Sequence, residues 1–307
     1  MTLPIRLMEY QRSWNIGDEI QTLAIAQHLP NVAGFVDRDE LSAWSGDPFA
    51  VVMQGWFTKD ERTFPVAPQI TPVWLGFHLG DHVRHILHRD EVRTAFRETG
   101  PIGCRDARTV DLLTAAGIDA YVSGCMTTTF PKRTVDPVDG GRVYLVDTSG
   151  VPLPDHLRGP DSVRVTHQGA AWWSQDAKRV LARDLLEEYR LHARLVVTTR
   201  LHCALPCVAM GIPVVFVGDM SDTRLSPIQG LAEIISFPHE LRTDTPANRV
   251  RRRSHWLREM KDRDWTGFAA DIESEKARRI RMIHEGLHEA GALAPIVAAD
   301  SSPAVVA

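Results

Sequence analysis

No stretch of this 307-residue chain approaches the ~18 consecutive apolar residues that a membrane-spanning helix requires. Its opening, MTLPIRLMEY, lacks the apolar core and small-residue cleavage site of a secretory signal. An excess of one charge is also missing, and a formal net charge of -4 gives no global attraction to nucleic acid. Cysteine is sparse. The four thiols, Cys104, Cys125, Cys203 and Cys207, each lie within or beside an apolar segment and read as buried thiols of a reducing compartment. Cys203 and Cys207 have C-x3-C spacing, but no second ligand pair completes a zinc site, so no metal is expected. The expected location is the cytoplasm, free or at the inner face of the membrane. What remains is 44% hydrophobic and 24% charged, enough apolar material to build one large α/β unit or two domains.

Short β-runs alternate with helical stretches, the order of a doubly wound parallel sheet. PIRLMEY reads as a first strand. WNIGDEIQTLAIAQHL reads as a loop entering a helix, with Ile20, Leu23, Ala24 and Leu29 near helical spacing. AVVMQGWF and PVWLGFH each read as one strand, the second closing at His78, and Trp56 is expected in the core. RDEVRTAFRETG reads as a charged helix ended by Gly100. PIGCRDARTVDLLTAAGIDAYVSGCM then repeats strand, helix and strand. The Pro- and Gly-rich FPKRTVDPVDGGR breaks this rhythm and marks a boundary. After it come RVYLVDT, SVRVTHQ, the helix SQDAKRVLARDLLEEYRLHA, the strand RLVVTT, a helical turn and IPVVFVG; the basic NRVRRRSHWLREMKDRDW and FAADIESEKARRIRMIHEGLHEA read as closing helices. The expected division is a first domain over residues 1–135, a second over 136–245, C-terminal helices over 246–290 and a disordered tail over 291–307.

VVTTRLHCALPCVAMGIPVVFVG places Arg200 and His202 in the turn between two apolar strands. Ligands of an open parallel sheet bind beyond the carboxyl ends of its strands, where helices begin. Either Thr199 caps the helix that follows or Pro206 occupies its first turn. On both readings the positive end of a helix lies close by and favours an anion. A guanidinium fork suits carboxylate or phosphate, and an imidazole exchanges a proton near neutrality. GCRDART repeats the arrangement in the first half, where Arg105 ends an apolar strand and opens a helix. Two domains face to face would aim Arg105 and Arg200 at one ligand.

Other candidates carry plainer alternatives. Asn15, Gly17 and Asp18 occupy the loop after the first strand, and a tight turn with a helix cap accounts for Gly17 and Asp18 as well as a ligand does. His78 and His167 each end a strand, and either faces the cleft or serves as a hydrogen-bonded structural histidine. Trp172 and Trp173, in GAAWWSQD, suit stacking on a sugar face or packing ahead of a helix. The basic segment 249–263 suits an anionic lipid surface or is a solvated helix face.

VVTTRLHCALPCVAMGIPVVFVG resembles the C-terminal signature of the polysaccharide pyruvyl transferase family, in which an R-L-H triplet precedes a small-residue helix and an apolar strand. NIGDEIQTLA is similar to that family's N-x-G-D segment, and GCRDARTVDLLTAAGIDAYVSGCMTTTFP to its central segment. The resemblance implies two Rossmann-like α/β domains with parallel sheets facing a cleft, as in glycosyltransferase-B folds. It implies phosphoenolpyruvate as donor substrate, no further cofactor, and a saccharide acceptor, free or lipid-linked. It assigns donor contacts and catalysis to Arg105, Arg200 and His202, with Leu201 contributing its backbone. Family members can carry a lysine after the last strand; here GDMSDTRLSPIQGL has none, and Arg224 is the nearest cation. A nucleotide-sugar glycosyltransferase of the same architecture, or a non-catalytic saccharide- or phosphate-binding protein, stands as the alternative.

Overall fold

A computed structural model describes residues 2–57, 63–170, 172–236, 245–261 and 263–294. The first half contains β1 (Ile5–Glu9), α1 (Ile16–Ala26), β2 (Gly34–Asp37), β3 (Phe49–Val52), β4 (Gly55–Phe57), β5 (Ile70–Val73) and β6 (Phe77–Leu79). It continues with α2 (Asp90–Thr99), β7 (Ile102–Cys104), α3 (Ala107–Ala115) and β8 (Ala120–Val122). The second half contains β9 (Arg142–Val146), β10 (Ser162–Val165), α4 (Gln175–His192), β11 (Ala193–Thr198), α5 (Leu201–Ala209), β12 (Val214–Gly218) and β13 (Glu233–Ser236). Two helices close the chain, α6 (Pro246–Lys261) and α7 (Glu273–Glu289).

These strands form three parallel sheets, ordered β2-β1-β3-β5, β4-β6-β7-β8 and β10-β9-β11-β12-β13. The mixed α/β class is therefore as expected, but the first half divides its strands over two sheets. AVVMQGWF and PVWLGFH are each two strands, not one. β3 pairs with β5 from Phe49↔Ile70 onward, whereas β4 pairs with β6 from Gly55↔Phe77. The backbone turns at Gly55, with φ of 124°, and at Gly76, with φ of 71°, where glycine alone is unstrained. At Gly55 a Cβ would also meet the Tyr10 hydroxyl at 2.9 Å. The swerve carries His78 away from the first sheet and toward β7.

α1 starts where the Asn15 side chain accepts from the Gly17 N–H, and Asp18 complements the positive end of the helix. Its apolar stripe, Ile16, Ile20 and Ala24, packs with Tyr144, Tyr189 and Val196 of the second half. Lys178 of α4, almost fully buried, reinforces the contact by donating to the Ser13 carbonyl at 2.7 Å. Trp256 of α6 and Trp265 cover the opposite face of the third sheet, against Leu145, Val197 and Val215. α7 returns to the first sheet, burying Ile283 and Leu287 against Leu7, Val52 and Val73. Each such aliphatic side chain contributes about 1.5–3 kcal/mol.

Order extends past the expected end at residue 290. Leu3 N–H donates to the Gly291 carbonyl at 2.9 Å, and Leu293 N–H to Leu287 at 3.1 Å. The rest of the expected tail, 295–307, lies outside the described residues. Among the described residues no helix is long and apolar enough to cross a membrane.

Candidate active site

α5 opens on the carboxyl edge of the third sheet. Its N-cap is Arg200, not Thr199, and its first turn begins at Leu201 rather than Pro206, so neither sequence reading of this helix end holds. Thr198 and Thr199 act on either side of the cap instead. Thr198 Oγ1 accepts from the Arg200 N–H at 3.0 Å, and the Thr199 hydroxyl donates to the Asp147 carbonyl at 3.0 Å. Pro206 lies inside the helix, where it lacks an N–H and its ring crowds the carbonyl four residues back. That carbonyl belongs to His202, whose ψ of 15° leaves the helical range. The bend falls on the imidazole-bearing residue.

His202 meets a side chain from the other half of the chain. Arg105 Nη1 donates to His202 Nε2 at 3.4 Å, across 97 residues of sequence. Arg105 follows β7, its N–H held by the Phe77 carbonyl at 2.8 Å. Both residues are buried, at 5% and 8% exposure. A guanidinium can only donate, so the imidazole nitrogen accepts and the ring is neutral. Burial and the Arg105 charge, with smaller effects of His167 and His78, push His202 well below the usual histidine range.

Beside this pair, His78 Nδ1 bonds to Asp106 Oδ2 at 2.5 Å. Asp106 also caps α3, its Oδ1 accepting from the Thr109 N–H at 2.9 Å and the Thr109 hydroxyl at 3.1 Å. Burial pushes the Asp106 carboxyl up, but the bond from His78 and the Arg105 charge bring it below the usual carboxylate range. Burial and Arg105 push His78 down; Asp106 opposes this and Arg224 adds to it. The pair is thus an ionised Asp106 accepting Nδ1–H from a neutral His78. Trp56, expected in the core, is half-buried, its ring centroid 6.5 Å from that of His78 and 4.8 Å beneath the Arg224 guanidinium. Arg224 Nε is held by both Asp222 oxygens, at 2.8 and 2.9 Å.

Arg200 points its Nε at Asp147 Oδ2, 2.7 Å away. Asp147 follows β9 with φ of 50°, and its carboxylate also accepts from the Thr166 hydroxyl at 2.6 Å and the His167 N–H at 3.0 Å. Burial pushes this carboxyl up, and those three donors hold it below the usual range. Leu201 presents its N–H in the first turn of α5, where backbone donors have no intrahelical partner. Asn15 and Asp18 serve the start of α1, Asp18 accepting from Ser13 Oγ at 2.5 Å. Gly17 abuts His202 directly, with only 2.9 Å between the His202 Cβ and the place a Gly17 Cβ would take.

The structure therefore brings Arg105, His202 and Gly17 into contact, with His78 and Arg224 alongside. His167 is fully buried, with Nε2 2.9 Å from the Tyr189 hydroxyl and the rings stacked, and its Nδ1 also has no hydrogen-bond partner among the described residues. Trp172 is 86% exposed. Sequence reasoning missed Asp106 and Asp147. The D-x-x-T spacing before α3 signals the first as a helix cap, whereas the second is only an aspartate closing an apolar strand. Arg105 Nε, His78 Nε2 and Trp56 Nε1 are buried without a hydrogen-bond partner among the described residues. Orphans of this kind are uncommon in folded proteins and mark positions that a ligand or water completes. Among the described residues no three His, Cys, Asp or Glu side chains converge as a metal site.

A family model described as polysaccharide pyruvyl transferase matches residues 15–219. The match takes in Gly17, His78, Arg105, Arg200 and His202 and stops short of Arg224. No curated protein matches the chain. Among solved structures the chain is similar to a functionally uncharacterised protein of Klebsiella pneumoniae subsp. pneumoniae, at 12% identity and a TM-score of 0.43, over 73% of this chain and 86% of that one.

Proposed function

The chain belongs to the polysaccharide pyruvyl transferase family, and from that premise we propose that it moves the enolpyruvyl group of phosphoenolpyruvate onto two hydroxyls of a saccharide, forming a cyclic pyruvate ketal. The observation that carries this reading is the buried Arg105–His202 contact, which joins a cation from the first half to the acid–base group of the R-L-H triplet. The donor site so proposed comprises Arg105, Arg200, the Leu201 backbone, His202 and Arg224. We place it between two Rossmann-like lobes, 1–135 and 136–245, in a glycosyltransferase-B-like arrangement.

The chemistry follows from the donor's charges. Its carboxylate and phosphate take the guanidinium groups, replacing the Arg105–His202 contact. The incoming negative charge then favours a proton on His202. His202 delivers that proton to C3 of the enol, which becomes a methyl group and leaves C2 electron-poor. One sugar hydroxyl attacks C2 and loses its proton, phosphate departs with the electrons of the C2–O bond, and a second hydroxyl closes the ketal. Of the two hydroxyl protons, one balances the proton taken at C3 and the other leaves with phosphate. The arginines hold the donor and stabilise the departing charge, and the scheme draws on no metal or organic cofactor.

The test is phosphate release from phosphoenolpyruvate across a panel of sugars, paired with calorimetry of the donor alone. Release that depends on a sugar is the expected result, with His202→Ala lowering kcat about 10²–10⁴-fold and donor binding by less. Arg200→Ala should weaken donor binding instead. A protein that shows no heat of interaction with phosphoenolpyruvate overturns the reading.

A further inference from the structure

His78 is the imidazole that the scheme above leaves unused, and its surroundings are those of an acid–base group. The ring is 2% exposed, its Nδ1 bonds to Asp106 at 2.5 Å with the Thr109 hydroxyl 3.1 Å away, and its Nε2 has no hydrogen-bond partner among the described residues. Around it lie Arg105, Arg224, Asp106 and His202, with the Asp222 carboxylate that holds Arg224 also within reach of its charge. The neutral ring with its proton on Nδ1 offers a lone pair at Nε2. A lone pair repels carboxylate and phosphate oxygens, so it does not suit the donor. It fits an O–H. Trp56, half-buried beside His78, carries the Arg224 guanidinium over its ring and so sets a donor-site cation on the same wall as this imidazole.

We propose that His78, oriented by Asp106, is the base that takes the proton of the attacking acceptor hydroxyl. The proposal rests on the pyruvyl-transfer reading above. In the step, the hydroxyl O–H bond breaks, its electron pair forms the O–C2 bond of the ketal, and its proton moves to His78 Nε2. Nδ1–H stays on Asp106, whose negative charge balances the imidazolium so formed. That proton passes next to the departing phosphate oxygen, which restores the neutral ring. His202 and His78 thus divide the work, one as acid at C3 and the other as base at the acceptor oxygen. Asp106 touches neither substrate and acts by positioning.

His78→Asn is the direct test, because its amide N–H keeps the bond to Asp106 while Nε2 is deleted. We expect kcat to fall roughly 10²-fold or more, with the dissociation constant for phosphoenolpyruvate within about threefold of wild type. A smaller loss of kcat, or an equal loss of donor affinity, overturns the assignment while the pyruvyl-transfer reading stands. Wild-type protein that neither binds phosphoenolpyruvate nor releases phosphate overturns that reading and this assignment together.

A second measurement does not depend on the variant folding. Nitrogen NMR of histidine-labelled wild-type protein should show His78 neutral and protonated on Nδ1 at pH 7; a proton on Nε2 overturns the proposal. Asp106→Asn keeps the α3 cap but can offer its own N–H to Nδ1, which moves the ring proton to Nε2. The NMR tautomer should switch and kcat should fall, with the protein still folded at the assay temperature. An unswitched tautomer with normal kcat also counts against it.

Discussion

Gly17 and His202 come from opposite halves of the chain, yet 2.9 Å separates the His202 Cβ from the position that a Cβ on Gly17 would occupy. Gly17 lies in the first turn of α1 with ordinary helical geometry, so its role here is steric rather than conformational. The absence of a side chain allows the N-terminus of α1 to close on the bend of α5. Glycine in a helix otherwise costs about 1 kcal/mol relative to alanine. A residue that weakens its own helix in this way is accounted for by its neighbour.

Gly17→Ala tests that account. The gain in helix propensity opposes a clash with a buried backbone-anchored atom, and overpacking of this kind costs about 1–3 kcal/mol. The expected outcome is a melting temperature that changes little or falls modestly, while kcat drops at least tenfold because His202 is displaced from Arg105. Steady-state kinetics beside a thermal melt decides it, and unchanged kcat would remove Gly17 from the site.

Arg105→Met separates stability from function. Arg105 is buried, its Nε has no hydrogen-bond partner among the described residues, and its ion pair with Asp106 is long, at 4.0 Å. Removing one partner of a buried pair ordinarily destabilises, but this pair is long and Asp106 keeps His78 and Thr109, so relief of the buried guanidinium should outweigh the loss. The melting temperature without ligand should rise by roughly 2–4 °C, while binding of phosphoenolpyruvate is lost. His202 should also gain proton affinity, because the Arg105 charge follows burial among the causes holding it down. NMR titration reads that shift directly. A lower melting temperature would show that the charge is better compensated than its contacts indicate.

Much of this was legible before any coordinates. Alternating β-runs and helices gave the parallel α/β class, and Arg105 and His202 stood out because each polar side chain interrupts an apolar strand–helix junction. The short edge strands β2, GFVD, and β13, EIIS, escaped notice because four residues carry little periodicity. The split of AVVMQGWF was hidden for a different reason. An apolar run reads the same whether it continues straight or swerves at a glycine, and only the pairing partners decide. Pro206 misled most. Its usual place is a first helical turn, whereas here it sits mid-helix and bends the chain at His202. Asp106 and Asp147 act through side chains distant in sequence, His78 and Arg200, which no local pattern records.

Asp147→Asn asks whether Arg200 must be held to work. Asparagine tolerates the positive φ at this position as aspartate does, so the change removes charge and leaves the backbone. Lost are the ion pair to Arg200 Nε at 2.7 Å and part of the acceptance from Thr166 and the His167 N–H. A charged hydrogen bond of this type is worth about 1.5–3 kcal/mol. The KM for phosphoenolpyruvate should rise about tenfold with a smaller change in kcat. In an Arg200→Ala background the same substitution should add little, and additive losses in that double-mutant cycle would show that Asp147 acts through another route.

Acid sensitivity should begin with histidine rather than carboxylate. His28 Nε2 pairs with the Thr129 hydroxyl at 3.0 Å, and its carbonyl meets His284 Nε2 at 3.0 Å, where α7 crosses the end of α1. Burial first, and His284 second, lower its pKa to about 4. The unfolded chain, with an ordinary histidine near 6.5, takes up this proton first as pH falls. The contribution of His28 is therefore intact above about pH 6.5 and is lost between there and pH 4, by about 2 kcal/mol at pH 5. His78 and His202, also lowered, act in the same direction, whereas Asp106 and Asp147, whose carboxyls are depressed, contribute stability that is lost only below about pH 4. Glu19, its carboxyl pushed up to about 8 chiefly by burial, works the other way over this range. Denaturant unfolding from about pH 7.5 to 4.5 is therefore compared between wild type and His28→Gln, and wild type should lose about 2 kcal/mol more than the variant by pH 5. A His28→Gln protein with an undiminished slope would place the acid-sensitive group elsewhere.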